Sequence, residues 1–177
     1  MQQCGMFNDL NREPIQLSQG LQLLKSEHGP LNEAKAEMNN LARDYAQNTE
    51  PSQYKESLLH LRTIVTNFFN ELHVHSEKEE GYLFKMMEKY IGKESGPLVV
   101  MEYEHGEAKR NIQEFLAGTK NITEPIQPET FEKLLIHVMT TYDVLTSHFM
   151  KEEQVLFPMA EQYLTEEEKK LLLERVK

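Results

Sequence analysis

The side chains best suited to chemistry in this sequence are histidines and carboxylates, and they occur in a repeated order. The tripeptide Glu27-His28-Gly29 is followed by HSEKEEGYLF from His75 to Phe84. Further along, Glu104-His105-Gly106 is followed by HFMKEEQVLF from His148 to Phe157. Each half of the chain therefore reads EHG and then HxxxEExxLF. Either pattern alone is unremarkable, but the shared order indicates two related halves joined as a pseudo-twofold pair.

If these stretches are helical, residues four apart lie about 40° apart in azimuth and about 6 Å apart along the axis. His75 with Glu79, and His148 with Glu152, then project from one face and can serve one metal ion each. The next carboxylates, Glu80 and Glu153, point about 140° away from their histidines on an ideal helix, so they reach the site only if the helix is locally distorted. They are expected to be solvated or to orient a ligand from outside.

The elements that must position these groups follow from the punctuation. Segment A runs from about Pro14 to Asn48 with apolar residues at helical intervals, interrupted at Gly29-Pro30, where a kink is expected. Segment B runs from Pro51 to Ile91, with Gly92 placed to end it. Segment C runs from near Ser95 to near Gly118, and segment D from near Pro128 to Tyr163. Thr165 with Glu168 reads as a capping box that opens a short last helix to Val176. No stretch alternates with period two over a strand's length. The expected fold is all-α: an antiparallel up-down-up-down four-helix bundle over 14–177 with a short C-terminal helix, preceded by a polar tail at 1–13.

On these helices the histidines lie on the faces that bury. Leu17, Leu21 and Leu24 flank His28, and Phe68, Leu72, Tyr82 and Met86 flank His75. Leu98, Met101, Ile112 and Leu116 share the azimuth of His105, while Leu134, Thr141, Val144, Leu145, Val155 and Met159 share that of His148. Four imidazoles and two carboxylates aimed into an apolar interior are expensive to bury unpaired. Two divalent metal ions resolve the conflict, because neutral imidazole and ionised carboxylate are the ligating forms. The expected metal ligands are His28, His75, Glu79, His105, His148 and Glu152. Repeat symmetry gives His28 and His75 to one ion, His105 and His148 to the other, with Glu79 and Glu152 shared. Two imidazoles plus carboxylate oxygen per ion, with positions left open, suits non-haem iron and small ligands; zinc or manganese are the alternatives. The other di-iron arrangement of helical bundles needs two Glu-x-x-His pairs, and only Glu102 with His105 is present.

Other candidates are weaker. His73 faces away from the core, and His60 and His137 lie too far along their helices from the site histidines. Glu27, Glu102 and Glu104 either orient the imidazoles or sit on a solvated face. Tyr82 and Tyr142 either bond a ligand or pack in the core, and Met86, Met101 and Met159 read as core filler.

EHG followed by HxxxEExxLF, twice, with Pro158 after the last Phe, resembles the hemerythrin-like (HHE cation-binding) domain family from about Pro14 to Tyr163. The resemblance implies a four-helix bundle around an oxo- or hydroxo-bridged pair of iron ions. It also implies binding of O2 or NO, iron storage or sensing, or an enzymatic role: reduction of peroxide or NO, or iron supply for iron–sulfur cluster repair. Two departures stand out. The O2-carrying members have a second histidine where this chain has Lys109. The family's repair proteins usually carry a cysteine-containing N-terminal domain and an extra histidine ligand, whereas this chain has Cys4 in a short tail.

The bulk properties agree with this picture. A single cysteine, Cys4, excludes an internal disulfide framework and a cysteine-rich metal site. Met1 to Asn11 lacks the basic start and apolar run of a signal peptide, so a reducing cytosol is the expected compartment. The formal net charge of −10 repels phosphate backbones, and nucleic acid is not an expected partner. The longest apolar run, Pro97 to Met101, is far too short to cross a membrane.

Overall fold

A computed structural model describes residues 15–177; the proposed polar tail, Cys4 and the Pro14 boundary lie outside them. Seven α-helices follow in order: α1 (Gln19–Asn48), α2 (Tyr54–Lys78), α3 (Phe84–Ile91), α4 (Pro97–Thr119), α5 (Pro128–Lys151), α6 (Phe157–Tyr163) and α7 (Glu166–Val176). A 3-10 turn at Pro51–Gln53 leads into α2. Single π-helical turns, Glu79–Leu83 and Glu152–Leu156, splice α2 to α3 and α5 to α6. Four rods result, and each packs on its neighbours in a closed ring: α1 on α2, α2 on α4, α4 on α5 and α5 on α1. This is an all-α helical bundle, with no strand among the described residues.

The rods end where local chemistry ends them. Gly92 adopts φ 75 after α3, a left-handed conformation that favours glycine, and its N–H donates to the Glu88 carbonyl. The capping box on α7 forms, with Thr165 accepting from the Glu168 N–H and Glu168 accepting from the Thr165 N–H.

Three expectations change. Helix α1 starts at Gln19 rather than near Pro14, because the Ser18 N–H donates to Glu161 (2.6 Å), and Gly20 packs so closely that an added Cβ would lie 3.0 Å from the Leu173 nitrogen on α7. The same helix runs unbroken through Pro30. Gly29 and Pro30 are exposed, as is Ser26, whose carbonyl loses its donor to the proline.

The third change concerns the buried face beyond the site. Val155 is 43% exposed and Tyr82, Met86 and Met159 are only half-buried, whereas Leu83, Phe84, Met87, Leu156, Phe157 and Ala160 are fully enclosed. The inward face has advanced by one residue in both halves. Each π-turn inserts one residue into the α-helical count, which rotates everything that follows it.

The core has two parts. Leu21, Leu24, Leu83, Phe84, Met101, Phe157 and the inner face of α7 form one cluster; Leu31, Met38, Phe68, Ile112, Phe115, Leu135 and Phe149 belong to the other. On each rod the segment passes from one cluster to the other at its histidine or, on the rod of α5 and α6, just after it. A polar layer therefore cuts the apolar interior in two.

Candidate metal centre

That layer consists of His28, His75, Glu79, His105, His148 and Glu152, none more than 7% exposed and both glutamates at 0%. Glu79 spans two imidazoles: Oε1 lies 3.3 Å from His75 Nε2, and Oε2 3.5 Å from His105 Nε2. Glu152 does the same for the other two, with Oε1 3.3 Å from His148 Nε2 and Oε2 3.3 Å from His28 Nε2. The rings pair as the repeat requires. His28 meets His75 edge-on with centroids 5.0 Å apart, and His105 meets His148 at 4.4 Å.

The π-turns complete the arrangement. Each redirects the carboxylate that an ideal helix would turn away. Glu80 Oε1 accepts a hydrogen bond from His105 Nδ1 at 2.6 Å, and Glu153 Oε1 accepts from His28 Nδ1 at 2.9 Å. The EHG glutamates serve the remaining two: Glu27 accepts from His75 Nδ1 at 2.8 Å and Glu104 from His148 Nδ1 at 3.3 Å. A carboxylate on Nδ1 keeps the proton on that nitrogen and leaves the Nε2 lone pair aimed inward. Lysines grip three of these carboxylates, Lys78 on Glu27, Lys151 on Glu104 and Lys25 on Glu153. The sequence reading missed the lysines, although Lys78 and Lys151 occupy the same place in the repeat, three residues after a site histidine.

The donor set passes a direct test of fit. All four inward Nε2 atoms and all four oxygens of Glu79 and Glu152 are buried without a hydrogen-bond partner. Buried polar atoms are rarely left so. The 3.3–3.5 Å separations match the spacing of adjacent ligands on ions with bonds of about 2.1 Å, while their directions do not suit hydrogen bonds. The donor atoms of His28, His75, Glu79 and Glu152 lie within 4.8 Å of one another, as do those of Glu79, His105, His148 and Glu152. Two overlapping groups that share two carboxylates fit two cations.

Electrostatics agree. Burial pulls the His75 imidazolium down, but the charge of Glu79 and the hydrogen bond to Glu27 outweigh it and lift His75 to about 10. For His105 burial is likewise outweighed, by Glu79 and Glu80, and it rises to about 9. Burial opposes ionisation of Glu79, yet His75 and His105 hold it well below the usual carboxylate range. Without a cation, protons on His75 and His105 balance the charge of Glu79.

The remaining candidates lie elsewhere. His73 is exposed and paired with Glu77 at 3.4 Å, His60 bonds the Tyr45 hydroxyl at 2.6 Å, and His137 bonds Asn111 at 2.9 Å. Glu102 faces Lys93 at the surface (3.8 Å). Tyr82 packs beside Arg175 and Tyr142 beside Lys35. Lys109 is exposed and does not enter the layer; its charge bears on Glu80, and with Phe69, Leu72, Ser76 and Glu80 it lines a cavity of about 310 Å³ that reaches His105.

A ring of helices around a buried layer of four histidines and two glutamates defines a helical-bundle protein with a metal-binding interior. The family model for the hemerythrin HHE cation binding domain matches residues 19–160, and the chain belongs to that family. Among curated proteins, it is 36% identical to the iron-sulfur cluster repair protein YtfE of Salmonella typhimurium (strain LT2) over 102 residues, covering 56% of this chain and 46% of the relative. It is 35% identical to the protein of the same name from Escherichia coli O157:H7, with the same coverage. The chain spans about half the length of the curated relatives it matches.

Proposed function

We propose that this protein holds two iron ions in its polar layer and serves iron–sulfur cluster repair, binding a small ligand such as O2 or NO at the same pair. His28 and His75 would hold one ion, His105 and His148 the other, with Glu79 and Glu152 joining both. The observation that carries this reading is the convergence of eight buried, unpartnered ligand atoms on one layer. Iron rather than zinc or manganese is supported by the imidazole–carboxylate donor set and by the names of the relatives. When bound, the iron pair supplies Lewis-acid and one-electron chemistry.

The chain's own residues do the rest. Glu27, Glu80, Glu104 and Glu153 hold the Nδ1 protons and fix the rings, and the lysines behind them fix the carboxylates. Phe149 stacks on His28 at 4.3 Å and Phe84 on His105 at 5.6 Å, excluding water from above and below. The cavity beside His105 favours the small-ligand part of the proposal, since it brings a small molecule to the most exposed of the six residues. A reducing cytosol, in keeping with the single cysteine, is the setting we propose.

The test is metal analysis with an absorption spectrum, followed by incubation of the iron-loaded protein with an iron–sulfur enzyme whose cluster has been damaged by oxidation. Two irons per chain and recovery of the damaged enzyme are expected. One metal per chain, or zinc alone, would sink the di-iron assignment. Two irons without recovery would leave the binding role and remove the repair role.

A further inference from the structure

Seven residues after His28, two turns along the same face of α1, the buried side carries Lys35. It differs from the lysines around the centre, which grip carboxylates near the surface. Lys35 is 4% exposed, and among the described residues no carboxylate lies within ion-pair distance of it. Asn39, one turn further, is also buried, and its Oδ1 has no hydrogen-bond partner, so it does not answer the ammonium either.

What Lys35 does touch is aromatic. Its Nζ lies 4.9 Å from the ring centroid of Phe149 and 5.5 Å from that of Tyr142. Phe149 in turn stacks on His28, with planes 14° apart, and meets His75 edge-on at 5.9 Å. One aromatic ring therefore separates the ammonium from the imidazoles of the first metal position. Burial lowers Lys35 to about 8, so in the metal-free protein it is mostly charged at neutral pH. A methionine would fill the same space without burying a charge, so the lysine costs stability.

Resting on the di-iron reading, we propose that Lys35 is a positioning residue that acts through electrostatics: its ammonium, set beneath Phe149, favours the less positively charged, reduced state of the metal pair. A buried cation near a redox centre raises the potential there, and among the described residues no neighbouring anion cancels it. At about 10 Å and an effective dielectric of about 20, one unit charge shifts such an equilibrium by about tenfold.

The experiment compares iron-loaded wild type with Lys35→Met, Lys35→Gln and Lys35→Arg, all as full chains. Metal content, the ratio of reduced to oxidised iron at a fixed poise, and the melting temperature of the metal-free forms are measured. The expected result is two irons in every form, a ratio about tenfold lower in the Met and Gln variants, and a ratio near wild type in Lys35→Arg. Metal-free Lys35→Met should melt at or above the wild-type temperature. An unchanged ratio in the Met and Gln variants, with two irons bound, overturns the role of Lys35 and leaves the di-iron reading intact. An Arg variant that falls as far as Met also overturns it, since shape and not charge would then be responsible. Wild type without two irons overturns both.

Discussion

Glu80 Oε1 lies 2.6 Å from His105 Nδ1, although on an ideal α-helix Glu80 would point away from the layer that holds His105. The π-turn at Glu79–Leu83 makes this contact, and the same turn keeps Glu79 inside, so adjacent carboxylates face the inner and outer nitrogens of one imidazole. Glu153 and His28 repeat the relationship in the second half.

Glu80→Gln and Glu153→Gln should each weaken metal binding by about 10–100-fold without unfolding the protein, because the imidazole loses the group that holds its tautomer and angle. Competition against a chelator of known affinity reads this directly. Unchanged affinity in both variants would reduce the two glutamates to surface groups.

Ligand substitutions should separate the two metal positions. Both His75→Ala and His148→Ala should lose metal and thermal stability together, since binding and folding are coupled in a site built into the core. Glu79→Ala should affect both ions at once, because its oxygens face one histidine of each pair. Metal stoichiometry across the three variants is the measurement. If Glu79→Ala still holds two ions, the shared-carboxylate arrangement is wrong.

Metal binding should release protons and tighten as pH rises. His75 at about 10 and His105 at about 9 lie above their ordinary value, so in the metal-free protein both carry a proton at neutral pH. The sign for stability follows. A raised folded pKa means that the folded state holds more protons than the unfolded one. The contribution of these imidazolium–carboxylate pairs is then fully present below about pH 6.5 and lost as pH climbs through about 9 to 10. Calorimetry in buffers of different ionisation enthalpy counts the protons released on loading. Melting of the metal-free protein from pH 6 to about pH 10 should show declining stability, and a flat or rising profile would contradict the pairing.

Away from the centre, Gly20→Ala should destabilise the protein by about 1–3 kcal/mol while leaving metal stoichiometry unchanged. The added Cβ would lie 3.0 Å from the Leu173 nitrogen and 3.2 Å from Leu172 Cγ, and a backbone atom of α7 gives way only if the helix shifts. Thermal melting with metal analysis separates the two effects. Full stability in the variant would show that α7 is loosely docked.

Much of the centre was legible before any coordinates. His28, His75, His105 and His148 stand on the apolar stripes of four helices, and the i, i+4 spacing of His75 with Glu79 and His148 with Glu152 follows from helical geometry alone. What could not be read was the effect of one inserted residue per half. Helical periodicity sends Val155 and Met86 inward, and the folded chain instead buries Leu156 and Met87.

The amino-acid sequence by itself determined a helical bundle with two equivalent halves and the identities of six inward polar groups, because hydrophobic period and repeat order are local properties of the chain. Tertiary structure decided which carboxylate stands behind which imidazole, which lysine backs it, where α1 begins, and that Lys35 is enclosed with no carboxylate of the described residues beside it. Those are relations between helices far apart in sequence. They depend on register and on the two π-turns, which a pattern of single residues does not encode.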